Sequence, residues 1–297
     1  MSSLKKAQIS IGLPVFNGEK FINQCIDSLL SQTFQEFELI ISDNASTDLT
    51  SDICKEYASK DKRIKYIRQE KNMGGVWNFL FVLNESICEY FMWAAADDYW
   101  NHQFIEKNLK VLEMNKNIIG SISDVEFIGK SLPNMYKSNE KGTTFQYLIK
   151  YLPPSKASLS EKVSFHLRYN RGMSIYSVFR TEVLKKCVIK RNLCYWDQTI
   201  VLNILNHGDL HIINEILMYR TIEGGTSISS QITRQKKIGI PYIEILFLAI
   251  PFTFFFMKHF GVKIFFKNFM YLLKFNYRME RSVFGDLLRK LKKILIR

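Results

Sequence analysis

The stretch Ile9–Asp48, ISIGLPVFNGEKFINQCIDSLLSQTFQEFELIISDNASTD, decides the fold. An apolar run, Gln8–Val15, ends on Asn17-Gly18-Glu19, and Lys20–Ser31 then carries apolar residues at helical spacing. A second apolar run, Phe37–Ser42, ends on Asp43-Asn44-Ala45-Ser46. Working outward, Thr47–Ser59 reads as a helix, Ile64–Arg68 as a strand, Gly75–Glu85 as a helix and Tyr90–Ala94 as a strand. Strands that are apolar almost throughout, alternating with helices, predict a mostly parallel Rossmann-like sheet with helices on its faces. In such sheets ligands bind outside the carboxyl ends of the strands, where Asn17–Glu19, Asp43–Ser46 and Asp97-Asp98 fall.

Further along, Asn101–Met114 reads as a helix, Ile118–Phe127 as a strand, and Gly129–Lys162 as a loop region rich in Ser, Lys, Pro and Asn. Met173–Phe179 then reads as a strand, Thr181–Lys186 as a short helix, Asp197–Asn206 as a helix and Ile216–Arg220 as a final strand. A mobile loop is expected at Gly224-Gly225-Thr226-Ser227.

The chain has 297 residues, 47% of them hydrophobic, enough for one large α/β core with extensions and inconsistent with a disordered chain. Its formal charge of +13 is concentrated from Lys258 onward, where eleven basic residues, Lys258 included, face only Glu280 and Asp286. In that tail Lys263, Lys267 and Lys274 share one side of a helix of Phe, Tyr, Leu and Met, a pattern of interfacial amphipathic helices. The same stripes could instead pack on a core. Ile245–Met257 is apolar but contains Pro251 and is shorter than a membrane span requires. Because the aromatics follow helical stripes and no nucleic-acid motif is present, nucleic acid is not an expected partner. The expected division is a catalytic region at residues 1–230 and a basic helical region at residues 231–297.

Five cysteines, widely spaced and without a CxxC pair, argue against a disulfide framework or zinc site. The N-terminal segment does not read as a signal peptide. The expected location is therefore cytoplasmic, with the basic tail pointing to peripheral attachment at the inner face of the cell membrane.

The opening stretch, followed by EKNMGG at residues 70–75 and AAADDYW at residues 94–100, resembles the inverting family-two glycosyltransferases of the GT-A fold. The resemblance is dense from Gln8 to Trp100 and sparser to Ser227. It implies a nucleotide-diphospho-sugar donor, a divalent Mg²⁺ or Mn²⁺, and a glycan or lipid-linked glycan acceptor in cell-surface polysaccharide synthesis. UDP is the default nucleotide, with GDP and dTDP open. It also implies that Pro14, Phe16, Asn17 and Glu19 form the first nucleotide-binding loop, that Asp43 contacts base or ribose, and that Asn72 and Gly74 belong to the donor site. Asp97 would bind donor and metal together with Asp98, and Arg220 would help close over the diphosphate. The family's base sits in a Glu-Asp pair opening a helix, here Trp196-Asp197, so Asp197 is the implied general base.

The chemistry is consistent with those assignments. A carboxylate at a strand end can accept from a base N–H or a ribose hydroxyl, and an in-line displacement needs a carboxylate to take the acceptor proton. Asp and Asn also favour turns and caps, the expected roles of Ser46 and Asp48 and a second role for Asn17, Asp43 and Asp197. The chain departs from the family pattern at Ala95, where many members carry the first aspartate of the metal motif. That departure supports an alternative: a catalytically silent sugar-nucleotide-binding relative acting as a partner or scaffold.

Overall fold

The computed structural model describes residues 7–128, 144–147, 157–169, 172–189, 195–221 and 249–295. They fall into two compact units. The first comprises residues 1–152, 176–186 and 208–228; the second comprises residues 153–175, 187–207 and 229–297.

Among the described residues, the first unit is built on a nine-stranded mixed sheet. Its parallel half is formed by β1 (Ile9–Val15), β2 (Phe37–Asp43), β3 (Ile64–Arg68) and β4 (Tyr90–Trp93), in the order β3-β2-β1-β4. All seven residues of β1 are buried, as a strand covered on both faces requires. Between these strands run α1 (Ile22–Leu30), α2 (Thr50–Lys60) and α3 (Gly75–Asn84). α1 buries Ile22, Cys25, Ile26 and Leu29, the i, i+3, i+4, i+7 stripe of an amphipathic helix. Because β1 to β3 proceed one way across the sheet and β4 lies on the other side of β1, the order reverses between β1 and β4. That switch point is where such sheets leave a crevice.

β6 (Ile118–Ile128) and β9 (Asp209–Thr221) are parallel to one another. They are flanked by β5 (Asp98–Trp100), β7 (Thr144–Tyr147) and β8 (Val178–Arg180), all paired antiparallel. Where sequence suggested one strand over Met173–Phe179, a 3-10 turn occupies Gly172–Tyr176 and only β8 is extended. The expected loop region Gly129–Lys162 contains β7 and the start of the next helix, while its other residues up to 156 lie outside the described set. The helix α4 (Phe104–Met114) covers β6, burying Phe104, Ile105, Leu109 and Leu112.

α5 (Leu159–Tyr169), α7 (Trp196–Ile204) and the long α8 (Ala249–Leu295) belong to the second unit, whereas most of α6 (Thr181–Cys187) belongs to the first. Val163, Leu167, Leu202, Leu205, Phe252, Phe256, Leu272 and Phe275 form the core of the second unit. A polar pin crosses it, with Asn268 donating to Ser160 Oγ and Ser164 donating to Asn268 Oδ1. Pro251 sits in the first turn of α8, where its missing N–H forfeits no helical bond. At Gly261 the backbone turns to φ 74°, ψ 166°, which breaks α8 into two helices and which side chains with a Cβ rarely adopt. No helix among the described residues is long and apolar enough to cross a membrane. The Gly224–Ser227 loop lies outside the described residues.

Candidate active site

Three loops leave the carboxyl ends of β1, β2 and β3, and the sequence ties them to one another. Pro14 is buried in β1, two residues beyond the last β1–β4 register pair, Gly12 with Trp93, so its missing N–H costs the sheet little. Phe16 then emerges at the strand end with its ring half-exposed, 46% accessible. Asn17 adopts φ 52°, a left-handed turn that asparagine tolerates.

From that turn the first loop is bonded to the second. Asn17 N–H donates to Ser46 Oγ at 2.9 Å, and Asn17 Oδ1 accepts from Thr47 N–H at 2.8 Å. Gly18 N–H donates to Thr50 Oγ1, and Glu19 Oε2 accepts from Leu49 N–H at 2.9 Å. Asn17 and Glu19 thus hold the two loops together through their side chains. Asp48 is also engaged here: burial opposes its charge, but the bonds it accepts from Thr50 and from Glu19 N–H together outweigh that and hold its carboxyl below its ordinary pKa.

Asp43 is fully buried at the end of β2. Its Oδ1 accepts from Ser46 N–H at 2.8 Å, and its Oδ2 accepts from Tyr66 Oη at 2.9 Å and Arg68 Nη1 at 2.8 Å. Arg68 also donates to Ser46 O. Sequence reading missed Tyr66 and Arg68. Their signal is the β2–β3 register, which puts Arg68 beside Asp43 and Tyr66 two residues earlier on the same face; it is visible only once the pairing is known.

The third loop is fixed by two asparagines. Asn44 donates to Asn72 Oδ1 at 2.9 Å and accepts from Met73 N–H at 2.8 Å, and Gly74 N–H returns to Asn72 Oδ1 at 2.9 Å. Gly74 precedes α3 at φ 91°, ψ 157°, a region open essentially to glycine alone. Behind it, Asn78 exchanges buried bonds with Ser42, anchoring α3 to β2. Gly74→Ala is therefore expected to cost about 1–3 kcal/mol, read as a lowered denaturant midpoint with an unchanged slope.

Asp97 and Asp98 follow β4 but have different surroundings. Asp97 lies in the turn and is partly buried; burial raises its carboxyl pKa, with Arg220 pulling the other way. Asp98 opens β5 opposite Arg220 of β9. Its Oδ2 lies 3.1 Å from Arg220 Nε, and its Oδ1 accepts from Thr221 N–H at 3.3 Å. Burial pushes the Asp98 carboxyl up to about 7 against the pull of Arg220. The guanidinium also lies 5.1 Å from the ring of Tyr176. Burial opposes its charge, but Asp98 and Tyr176 hold its pKa above the usual arginine value.

Among the described residues no group of three or more His, Cys, Asp or Glu forms a metal cage. Mg²⁺ and Mn²⁺ at phosphates need less, since one or two carboxylates suffice when water and the ligand fill the other positions. Asp97 fits that donor set. The oxygens of Asp98 instead face Arg220 and Thr221.

Asp197 belongs to the second unit. α7 begins at Trp196, so Asp197 lies in its first turn and the cap position is Tyr195, held at φ 61°, ψ 40°. A left-handed tyrosine is strained backbone, of the kind found at functional sites. Trp196 is buried and donates through Nε1 to Ile189 O at 3.1 Å, while Gln198 and Thr199 are fully buried.

Some known proteins are similar to this chain in sequence, and others in architecture. An uncharacterized glycosyltransferase of Methanocaldococcus jannaschii is 26% identical over 244 residues, covering 80% of this chain and 78% of that protein. Glycosyltransferase GlyA of Streptococcus pneumoniae is 30% identical over 142 residues, 48% of this chain but only 19% of that protein. Among solved structures, S. aureus TarS 1–349 in complex with UDP-GlcNAc superposes with a TM-score of 0.65 at 18% identity, covering 89% of this chain and 71% of that one. The mannosyltransferase PcManGT of Pyrobaculum calidifontis, in complex with GDP-Man and Mn²⁺, gives 0.55 at 11% identity, covering 97% and 76%. At these identities the structures establish the fold, which is GT-A. The model of glycosyl transferase family 2 matches residues 10–176, more than half of the chain and all three bonded loops, so this chain belongs to glycosyl transferase family 2.

Proposed function

We propose that the chain transfers a sugar from a nucleotide-diphospho-sugar, UDP-linked by default, to a hydroxyl of a glycan or lipid-linked glycan, with inversion at the anomeric carbon. The observation that carries this reading is the bonded rim at the ends of β1, β2 and β3, which brings Asn17, Glu19, Asp43, Asn72 and Gly74 into one network. A rim fixed by its own hydrogen bonds can receive a nucleoside without first being ordered, so less affinity is lost on binding. UDP-GlcNAc and GDP-Man in the two structural neighbours support the donor class.

In this reading Phe16, half-exposed at the end of β1, packs on the nucleotide, and Asp43 with Arg68 offers an acceptor and a donor to base or ribose. Asp97 would hold Mg²⁺ or Mn²⁺, which when bound neutralises charge on the departing diphosphate. Arg220, fixed by Asp98, adds a second positive charge toward the same group. Asp197 takes the proton of the acceptor hydroxyl as the new bond forms. Transfer is assigned to residues 1–230 and attachment to an anionic membrane surface to residues 231–297, consistent with work on cell-surface polysaccharide from the cytoplasmic side.

The test is a thermal-shift screen of the purified chain against UDP-, GDP-, dTDP- and CDP-sugars, each with and without Mn²⁺. A ligand present at about 100 times its Kd adds about 2.7 kcal/mol to native stability. A metal-dependent rise in Tm with one nucleotide class, UDP by expectation, supports the proposal and names the donor. No rise with any of them in folded protein overturns it, whereas a rise without sugar transfer to any acceptor favours the silent sugar-nucleotide-binding relative.

A further inference from the structure

α8 is apolar around most of its circumference, and only part of that surface is used by its own unit. Phe265, Leu272 and Phe275 point into the core, with Asn268 pinned to α5. On the outer side Val262, Phe266, Met270, Leu273 and Tyr277 recur at i, i+4, i+8, i+11 and i+15, which is one helical ridge. They are well exposed: Phe266 is 68% accessible, Met270 61% and Tyr277 64%. Beside that ridge Lys263, Lys267 and Lys274 are exposed as well. Sequence continues the basic bias, with Arg278, Arg281, Arg289, Lys290, Lys292 and Lys293 against Glu280 and Asp286.

This combination discriminates between occupants. An apolar ridge of this length is of the kind that marks an interaction surface. A second copy of the chain would bring the same lysines against these, and like charges at a docked face are costly. An anionic bilayer matches both features at once, because the ridge enters the interface while the lysines meet headgroup charge.

The same face carries a cleft of about 380 Å³ lined by Arg168, Tyr271, Lys274 and Tyr277. Tyr271, Lys274 and Tyr277 follow one another at three-residue steps along α8, and Arg168 comes from the last turn of α5. Two cations and two phenols around one opening form a donor set suited to a phosphate group. Tyr277 and Lys274 are shared with the ridge and its flank, so the cleft opens where lipid headgroups would lie.

We propose that the outer face of α8 docks on an anionic bilayer and that the Arg168–Tyr271–Lys274–Tyr277 cleft seats the phosphate of a phospholipid headgroup. This deepens the membrane part of the proposed function and rests on it.

The experiment is vesicle flotation of the full chain on phosphatidylcholine bilayers containing either phosphatidylglycerol or oleate, matched in surface charge. The wild-type chain is expected to float with both and to prefer the phosphatidylglycerol vesicles by about tenfold, the worth of one good charged contact. Lys274→Gln, alone or with Arg168→Gln, removes the preference. Lys263→Gln, on the flank but outside the cleft, weakens binding to both vesicles equally. Phe266→Ser is expected to reduce flotation on either. A preference that persists in Lys274→Gln, or no preference in the wild type, overturns the headgroup site. No flotation at all, or a concentration-dependent dimer by light scattering that buries the ridge, overturns the membrane face. The donor-induced Tm rise is measured on the same variants. It is expected to be unchanged in all of them, so a failed donor reading and a failed membrane reading give separate results.

Discussion

Asp197→Asn is expected to lower the turnover for sugar transfer by about 10²–10⁴-fold, the contribution typical of a positioned general base, while donor binding is preserved. The substitution keeps shape and removes the proton acceptor. It leaves the surrounding packing alone, because the first turn of α7 is held by Trp196, Gln198 and Thr199, all buried, and by the bond from Trp196 to Ile189 O. A carboxylate in the first turn of a helix also interacts favourably with the helix dipole, so the lost charge costs a few tenths of a kcal/mol to about 1 kcal/mol of stability. The measurement is steady-state transfer to acceptor alongside donor-induced thermal shift. A fall in kcat with an unchanged Tm rise on donor identifies a group that acts on the acceptor. Turnover close to wild type places the base elsewhere, and loss of the donor-induced rise makes Asp197 part of the donor pocket.

The parallel half of the fold was legible because burial on both faces imposes near-continuous apolar runs, and the runs at Ile9–Val15, Phe37–Asp43, Ile64–Arg68 and Tyr90–Trp93 are bounded by polar loop signals. The other half was harder to read. β5 and β8 are three residues each, too short for any alternation to register, and they form because β9 and β4 offer them edges. Ile175 and Val178 made Met173–Phe179 look extended, yet Gly172–Tyr176 closes into a 3-10 turn. α5 has no counterpart in the sequence reading, because its first residues, from Leu159, fall in the Ser, Lys and Pro-rich stretch that reads as loop.

At the site, sequence located the strand ends but not the bonds between them. It treated Asn17, Glu19 and Asp43 as ligand contacts, with turn roles as an alternative for Asn17 and Asp43, and the structure gives each of the three bonds within the rim itself. Those bonds do not exhaust a carboxylate, which accepts at about four positions. The role of Arg68 depends on strand register, a property of two segments together, and single-segment reading does not contain it.

The adjacent carboxylates of the Asp97-Asp98 pair lead to the second large effect, because the structure gives them unlike surroundings. Asp97→Ala is expected to change stability by no more than about 0.5 kcal/mol. The side chain is partly exposed, and its burial already works against its charge. The same variant is expected to lose the Mn²⁺ dependence of the donor-induced Tm rise, together with several kcal/mol of transition-state stabilisation, a drop in transfer of about 10²-fold or more. Asp98→Ala should give the opposite order of effects. Asp98 is fully buried and Arg220 is only 22% accessible, so removing the carboxylate leaves a guanidinium in a poorly solvated place without its counter-charge. Breaking a buried pair from one side costs about 3–5 kcal/mol. The lower end applies here, because Arg220 keeps some water and because the ionised Asp98 was itself penalised by burial. About 3 kcal/mol corresponds to a fall in Tm of about 6–12 °C for a chain of this size. Thermal unfolding and metal-dependent donor binding, measured on both variants, separate the roles. Loss of metal dependence in Asp98→Ala at a temperature where it is still folded would transfer the metal contact from Asp97 to its neighbour. Equal stability of the two variants would mean that Arg220 does not depend on Asp98 for its charge balance.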